Sequence, residues 1–332
     1  MRRTVAFIIG GSGYIGSNLL RGFLAGERFE HYVVIDIKPL EGFDLEIKKG
    51  KVKFIFGDVR NELPKIGEKF DSSKSWIFNF AAIHREPGHG FKEYFGTNIP
   101  GAENVTAFAR SNAIPNIYFT SSIAPYGKSL EKRNESSPLY PETAYGISKA
   151  LAEKIHEKWR AEDDSRRLII VRPSVIFGPN DPGNVYRMIK ALKKGTFVLP
   201  DGGNVIKAYG YIFGLVESIM FTMDKKENFI LYNYAENPLV PLKKMTEIVK
   251  NRFGYKRPVF KLSIRVLSII AFFLGNFLKL FGKTTDIHPV RVRKAGFPTN
   301  IEPSYLIENQ FEFKYDFENA LNHWQKITPE EF

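Results

Sequence analysis

Tyr145 and Lys149 stand four residues apart in the run Tyr145-Gly146-Ile147-Ser148-Lys149. On a helix that spacing sets both side chains on one face. A free tyrosine titrates near pH 10, but a neighbouring ammonium stabilises the phenolate, so such a pair could take a proton from an alcohol at neutral pH. The same pair arises in ordinary amphipathic helices, so its meaning depends on its surroundings.

Those surroundings begin at the N-terminus. Thr4 to Ile9 reads as a buried parallel strand, followed by Gly10, Gly11, Ser12, Gly13, Tyr14, Ile15 and Gly16. Strand, glycine turn and helix in that order suit a dinucleotide: Gly10 turns the chain, Gly13 lets backbone approach a pyrophosphate, and Gly16 packs the helix on the strand. Tyr14 and Ile15 open that helix and belong to the same cofactor-binding turn. The next strand, His31 to Ile35, ends in Asp36, twenty residues beyond Gly16. A carboxylate there accepts hydrogen bonds from ribose hydroxyls and repels a 2′-phosphate, so NAD is expected over NADP, with Lys38 the cation that could offset the preference.

A third strand, Lys51 to Phe56, runs into Gly57, Asp58 and Val59, and a fourth, Trp76 to Phe80, into Ala81, Ala82, Ile83 and His84. Small residues at a strand's C-terminal end leave room for a ligand across the sheet edge. Asp58 suits an adenine amino group; it equally suits the N-cap of a helix over Arg60 to Leu63. A helix around Tyr94 to Ser111 leads to a fifth strand, Asn116 to Thr120, which delivers Ser121 and Ser122. Ser122 is either a second hydrogen-bonding group at a substrate oxygen or an ordinary turn residue.

Taken together, the set resembles the extended short-chain dehydrogenase/reductase family, and within it the nucleotide-sugar epimerases, dehydratases and reductases. The residues that carry the resemblance are the GGSGYIG turn at 10–16, Asp36, GDV at 57–59, AA at 81–82, Asn98, SSIAPYG at 121–127, YGISK at 145–149 and RPSVIFGP at 172–179. It implies that Tyr145 is the acid/base, that Lys149 supports its ionisation and holds the nicotinamide ribose, that Ser122 bonds the reacting oxygen, and that Asn98 belongs to the cofactor side unless it merely packs its helix. Arg172, directly after the buried strand Leu168 to Val171, reads as structural. Departures narrow the activity. Family dehydratases resemble Thr-Asp-Glu where this chain has Ser122, Ile123 and Ala124, and galactose-type epimerases resemble Arg-Tyr-Phe-Asn where it has Arg172, Pro173, Ser174 and Val175. Epimerisation or keto/alcohol redox chemistry on a nucleotide-activated sugar is the expected activity. The alternatives are a hydroxysteroid-dehydrogenase-like oxidoreductase on a lipophilic alcohol and a non-catalytic NAD-binding regulator, which would have no need of Ser122, Tyr145 and Lys149 together.

Composition sets outer bounds. The chain has 332 residues, enough for an α/β Rossmann-type doubly wound parallel sheet over 1–172 and a smaller C-terminal substrate lobe over 173–332, parts of which return to the sheet. Zero cysteines exclude disulfides and thiol chemistry and suit a cytoplasmic chain; the six histidines are scattered, and no metal is expected. A net charge of +12 favours anionic partners, but its dispersal argues against nucleic acid. A diphosphate substrate or a membrane surface accounts for it equally. His84, Asn180, Lys207, Arg291 and Arg293 are the candidate substrate contacts, the two arginines sharing one face of an extended segment suited to clasping phosphates. The apolar run Val266 to Leu278 falls short of the roughly 20 residues that cross a bilayer. It reads as a buried or substrate-lid helix, the alternative being peripheral membrane contact through 262–283. The residues leave the oligomeric state open, and the resemblance implies a homodimer through helices including Tyr94 to Ser111 and Tyr145 to Arg160.

The Asp36 assignment yields a first test. NAD should bind more tightly than NADP in calorimetric titration, and Asp36→Ala should narrow the gap; a wild-type preference for NADP would show that a nearby cation outweighs the carboxylate.

Overall fold

Val5–Ile9 forms strand β1, and all five of its residues are buried. A strand covered on both faces needs apolar side chains on both, and these alternate into two cores: Ala6 and Ile8 enter one, Val5, Phe7 and Ile9 the other. The computed structural model describes residues 3–85, 88–181, 183–280 and 296–332, with backbone alone for 275–280. Around β1 lies a seven-stranded sheet made with β2 (His31–Asp36), β3 (Val52–Phe56), β4 (Trp76–Asn79), β5 (Asn116–Thr120), β7 (Arg167–Pro173) and β11 (Phe229–Tyr234). Its order is β11-β7-β5-β4-β1-β2-β3, and every pairing is parallel.

Helices cover both faces, as parallel pairing requires. On one side α1 (Tyr14–Ala25) contributes Leu19, Leu20 and Phe23, and α6 (Ile212–Met223) contributes Ile212, Leu215 and Ile219. On the other, α3 (Phe91–Ser111) contributes Val105 and Phe108, and α4 (Ala144–Ala161) contributes Ala152 and Trp159. The strand order reverses between β1 and β4, which opens a crevice at their C-terminal ends where open α/β sheets take ligands.

After β7 the chain leaves the sheet and builds a third core. Phe177 of β8 (Val175–Phe177), Ile189 and Leu192 of α5 (Asn184–Lys194), Tyr209 and Tyr211 of β10 (Tyr209–Tyr211), and Phe317 and Trp324 of the C-terminal helix Phe317–Ile327 meet there. Three two-stranded parallel pieces lie outside the seven-stranded sheet: β8 with β10, β9 (Val198–Pro200) with β12 (Phe260–Leu262), and β6 (Ser129–Arg133) with β13 (Thr299–Ile301). After β10 and α6 the chain returns to supply β11 at the sheet's edge.

Two expectations are corrected here. No helix forms over Arg60 to Leu63, which is turn and irregular chain. The apolar run does form a helix, α8 (Ile264–Leu280), but it is not buried: Ile269 is 57 % and Phe273 67 % exposed, while Ala271 on the opposite side is 2 % exposed.

The turn after β1 is where the sheet tolerates least change. Gly10 has φ +76°, and a Cβ built on it would lie 2.6 Å from the backbone nitrogen of Ala81. Gly10→Ala therefore combines a left-handed backbone with a backbone collision and should destabilise the protein by about 2–4 kcal/mol, read as a lowered urea midpoint with an unchanged slope. A midpoint equal to wild type would reject the steric account.

Candidate active site

The cofactor end is built mostly from backbone. Gly10 donates to Ile35 O at 2.9 Å and Gly13 to Gly10 O at 3.2 Å, which folds the turn back across the strand ends. At Gly16 an added Cβ would sit 2.6 Å from Gly11 Cα, so helix and turn are in backbone contact. Gly13 is the N-cap of α1 and brings no side chain to its first-turn amides. Those amides, at the positive end of the helix dipole, are what a pyrophosphate needs. Asp36 lies half-buried at the end of β2, its Oδ2 accepting from Ser12 N and its Oδ1 from Lys38 N, both at 3.0 Å. Each carboxylate oxygen keeps a further lone pair for a ribose hydroxyl. The cradle and the carboxylate both fit NAD.

Asp58 does not cap a helix. Its carboxylate takes Arg60 N at 2.9 Å and the Arg60 guanidinium through Nε at 3.0 and 2.9 Å, capping a turn rather than a helix. The same Arg60 hydrogen bonds hold its carboxyl below the usual range. Val59 is buried against Gly101 of α3, and its carbonyl accepts from Asn104 at 2.8 Å. Ala81 and Ala82 are half-buried in the segment leaving β4. Asn98 clamps that segment: its Oδ1 accepts from Ile83 N at 2.9 Å and its Nδ2 donates to Ile83 O at 3.2 Å and to Ser148 Oγ at 2.9 Å. Both amide protons are thus spent on protein, which ties α3 to α4.

Helix α4 carries Tyr145 in its first turn and Lys149 in its second. Thr143 caps it, its Oγ1 accepting from Gly146 N at 3.1 Å. A phenolate at Tyr145 would lie at the positive end of this helix. Gly146 has no side chain because a Cβ there would meet Ala124 O at 2.8 Å; this close approach seats the Ser122 loop on α4. Ser122 Oγ accepts from Ala124 N at 3.1 Å. The Tyr145 ring packs against Tyr94, centroids 6.2 Å apart.

Lys149 is buried, and its Nζ lies 4.4 Å from the centre of the Phe119 ring. Among the described residues no carboxylate comes within ion-pair distance of it. Desolvation pushes it down to about 7, opposed by the charge of Glu153 one turn on. Glu153 is itself committed elsewhere: Arg172 Nε donates to its Oε1 at 2.9 Å and Arg172 Nη2 to its Oε2 at 2.7 Å, with Ser121 Oγ donating to Oε1 as well. Arg172 Nη1 continues to Tyr126 OH at 2.8 Å, and Tyr126 donates to Asn233 Oδ1 at 2.8 Å. Arg172 is therefore structural, as expected. Glu153 was missed by sequence reasoning, although it continues the stripe of Tyr145 and Lys149. His156, also missed, stacks on Phe119 at 4.1 Å and is pushed by burial down to about 4, so it stays neutral.

The candidate substrate residues are dispersed. His84 is exposed in the segment after β4. Asn180 is exposed at φ +63°, its N–H donating to Glu331 Oε1 at 3.2 Å. Lys207 Nζ donates to Phe297 O at 2.5 Å. Arg291 and Arg293 lie outside the described residues.

The depressed Lys149 sets a pH dependence. Between its folded value of about 7 and its ordinary 10.5 the folded protein binds fewer protons than the unfolded chain, so stability rises with pH across that window. Below it both states are protonated and the full cost of burying the charge remains. Urea unfolding should show wild type gaining on Lys149→Met as pH rises from 7 to 10; a constant difference would count against a buried, depressed lysine.

Comparison with known proteins gives a consistent picture. A 4-epimerase of Escherichia coli O157:H7, named for N-acetyl-α-D-glucosaminyl-diphospho-ditrans,octacis-undecaprenol, is 28% identical over 319 residues, covering 95% of this chain and 92% of that protein. A decarboxylating sterol-4-α-carboxylate 3-dehydrogenase of Mus musculus is 24% identical, covering 87% of this chain and 81% of its own. Among solved structures, UDP-glucuronic acid 4-epimerase from Bacillus cereus, in complex with UDP-glucuronic acid and NAD, superposes with a TM-score of 0.74 at 17% identity, covering 99% of this chain and 100% of that one. The match to the NAD dependent epimerase/dehydratase family runs over residues 6–234, from β1 to the last strand of the sheet, and the chain belongs to that family of enzymes.

Proposed function

We propose that the chain is an NAD-dependent epimerase of a diphosphate-linked sugar, with Tyr145 the acid/base, Lys149 its cationic partner and Ser122 a hydrogen-bond donor to the reacting oxygen. The observation that carries this reading is that Tyr145 and Lys149 stand in the first two turns of α4, with the Ser122 loop seated on the same helix at Gly146. Loss of the phenolic proton leaves an anion stabilised by the helix N-terminus and by the ammonium on the next turn. An anion there would in turn favour the charged form of Lys149, against the desolvation that lowers it.

The glycine cradle and Asp36 would hold NAD, which when bound would supply a hydride acceptor and donor. Tyr145 takes the proton of a ring hydroxyl as the carbon bearing it loses hydride, leaving a ketone held by Ser122. Once the other face of the ketone is presented, Tyr145 would return the proton to its oxygen, so that the centre would be inverted with no net redox change. Asn98 acts as a positioning residue through its clamp on Ile83 and Ser148. The bacterial relatives support a sugar diphosphate carried either on a nucleotide or on a polyprenol. The mouse relative supports a second reading, net oxidation of a lipophilic alcohol.

Tyr145→Phe should lower turnover by about 10² to 10⁴ while leaving NAD binding near wild type, because only the ionisable oxygen is lost. A sugar diphosphate should be epimerised without accumulation of NADH, followed at 340 nm (about the reduced nicotinamide band) alongside chromatography of the sugars. Half the activity surviving in Tyr145→Phe would sink the assigned role, and net NADH formation from a sterol alone would favour the second reading.

A further inference from the structure

The epimerase reading leaves α8 without a task. Successive residues of a helix turn by about 100°, so Val266, Ile269, Ile270, Phe273 and Leu274 lie along one arc, and all five are exposed. Phe272 extends the arc, and Phe260, on the strand that leads into the helix, is likewise 62 % exposed. The opposite side, with Ile264, Leu267, Ser268 and Ala271, is half-buried to buried. A helix lying on a water-facing surface normally shows the reverse, with charge outward. Contiguous apolar surface of this kind marks an interaction site.

The helix is also fixed in place. Its first N–H, that of Ile264, donates to Asp201 Oδ1 at 3.1 Å, and the strand leading into it, β12, pairs with β9 over Phe260↔Val198 to Leu262↔Pro200. At 17 residues it falls short of the roughly 20 that span a bilayer, and among the described residues no helix is long and apolar enough to cross a membrane. Exposed Lys261 and Arg265 border the arc, in a chain of net charge +12. Two copies meeting through this face would bring like charges to one seam, whereas an anionic lipid surface complements both the apolar arc and its basic border.

We propose that Phe260 and the outward face of α8 form an interfacial docking site that seats the protein on an anionic bilayer. Resting on the epimerase reading, this selects the lipid-carried member of the two substrate classes: a sugar diphosphate whose polyprenyl tail stays in the membrane while its sugar reaches the crevice.

Flotation of the full chain with vesicles tests the docking site independently of catalysis. It should float with vesicles of equal parts phosphatidylglycerol and phosphatidylcholine and largely stay behind with phosphatidylcholine alone. Ile269→Asp/Phe273→Asp should lower the bound fraction at least about tenfold, and Lys261→Glu/Arg265→Glu, which leaves the apolar arc intact, should abolish the preference for anionic vesicles. Both variants should keep wild-type melting and NAD affinity. In vesicles, Ile269→Asp/Phe273→Asp should lose turnover of a polyprenyl-diphosphate sugar while Tyr145→Phe loses it in detergent as well. A wild-type chain that fails to float, flotation indifferent to both variants, or a dimer in sedimentation that Phe273→Asp dissolves would each overturn the docking site, and none of them would touch the role of Tyr145.

Discussion

The buried ion pair between Glu153 and Arg172 is the interaction on which the half of the molecule carrying Tyr145 and Lys149 depends. Taking two charges out of water costs several kcal/mol each, which is recovered only when geometry and remaining hydrogen bonds are well satisfied. Here both carboxylate oxygens meet the guanidinium, Ser121 adds a donor, and the third arginine nitrogen reaches Tyr126. The pair therefore joins the ends of β5 and β7 to the middle of α4. Breaking it from one side leaves a buried charge alone, at about 3–5 kcal/mol, and frees the helix that carries Tyr145. It also explains Lys149: because Arg172 claims Glu153, the lysine feels the carboxylate only at a distance, and burial prevails.

The half around the β1 turn is organised differently, with backbone groups doing the holding. Asp36 is already bonded to Ser12 N and Lys38 N, so its carboxylate arrives at the crevice with its orientation set by the turn it also stabilises. Asn98 does for the segment after β4 what Asp36 does for the segment after β1. In both places a polar side chain fixes a loop first, and any ligand then meets a surface that needs little reordering.

Legibility in the sequence follows the range of the forces involved. The β1 turn and the step from Tyr145 to Lys149 were readable because strand alternation, glycine geometry and helical spacing act within a few residues. Asp58 was readable as a polar residue at a strand end but not as a partner of Arg60, since a short turn and a helix start with the same residue types. Glu153 escaped because its significance lies in Arg172, on a strand beyond the helix. The buried arginine itself was the available clue: a guanidinium directly after an apolar strand needs a carboxylate. Pairings such as β6 with β13, between residues near 130 and near 300, leave no local trace at all. The helix α8 was legible as a helix, while its outward apolar face depended on which side the rest of the fold chose to cover.

The position of β11 bears on how such a chain is made. The strand that closes the sheet beside β7 comes from residues 229–234, after the third core has begun at β8. During synthesis, which proceeds from the N-terminus, β7 must wait for more than fifty further residues with one edge unpaired, and that edge borders Leu168, Ile169, Ile170 and Val171, all fully buried in the finished protein. An apolar parallel strand with an open edge is a template for association with other chains. The nascent protein thus passes through a window, between completion of β7 and emergence of β11, in which its most aggregation-prone surface is on display, and the rate of elongation through 174–228 sets how long that window lasts.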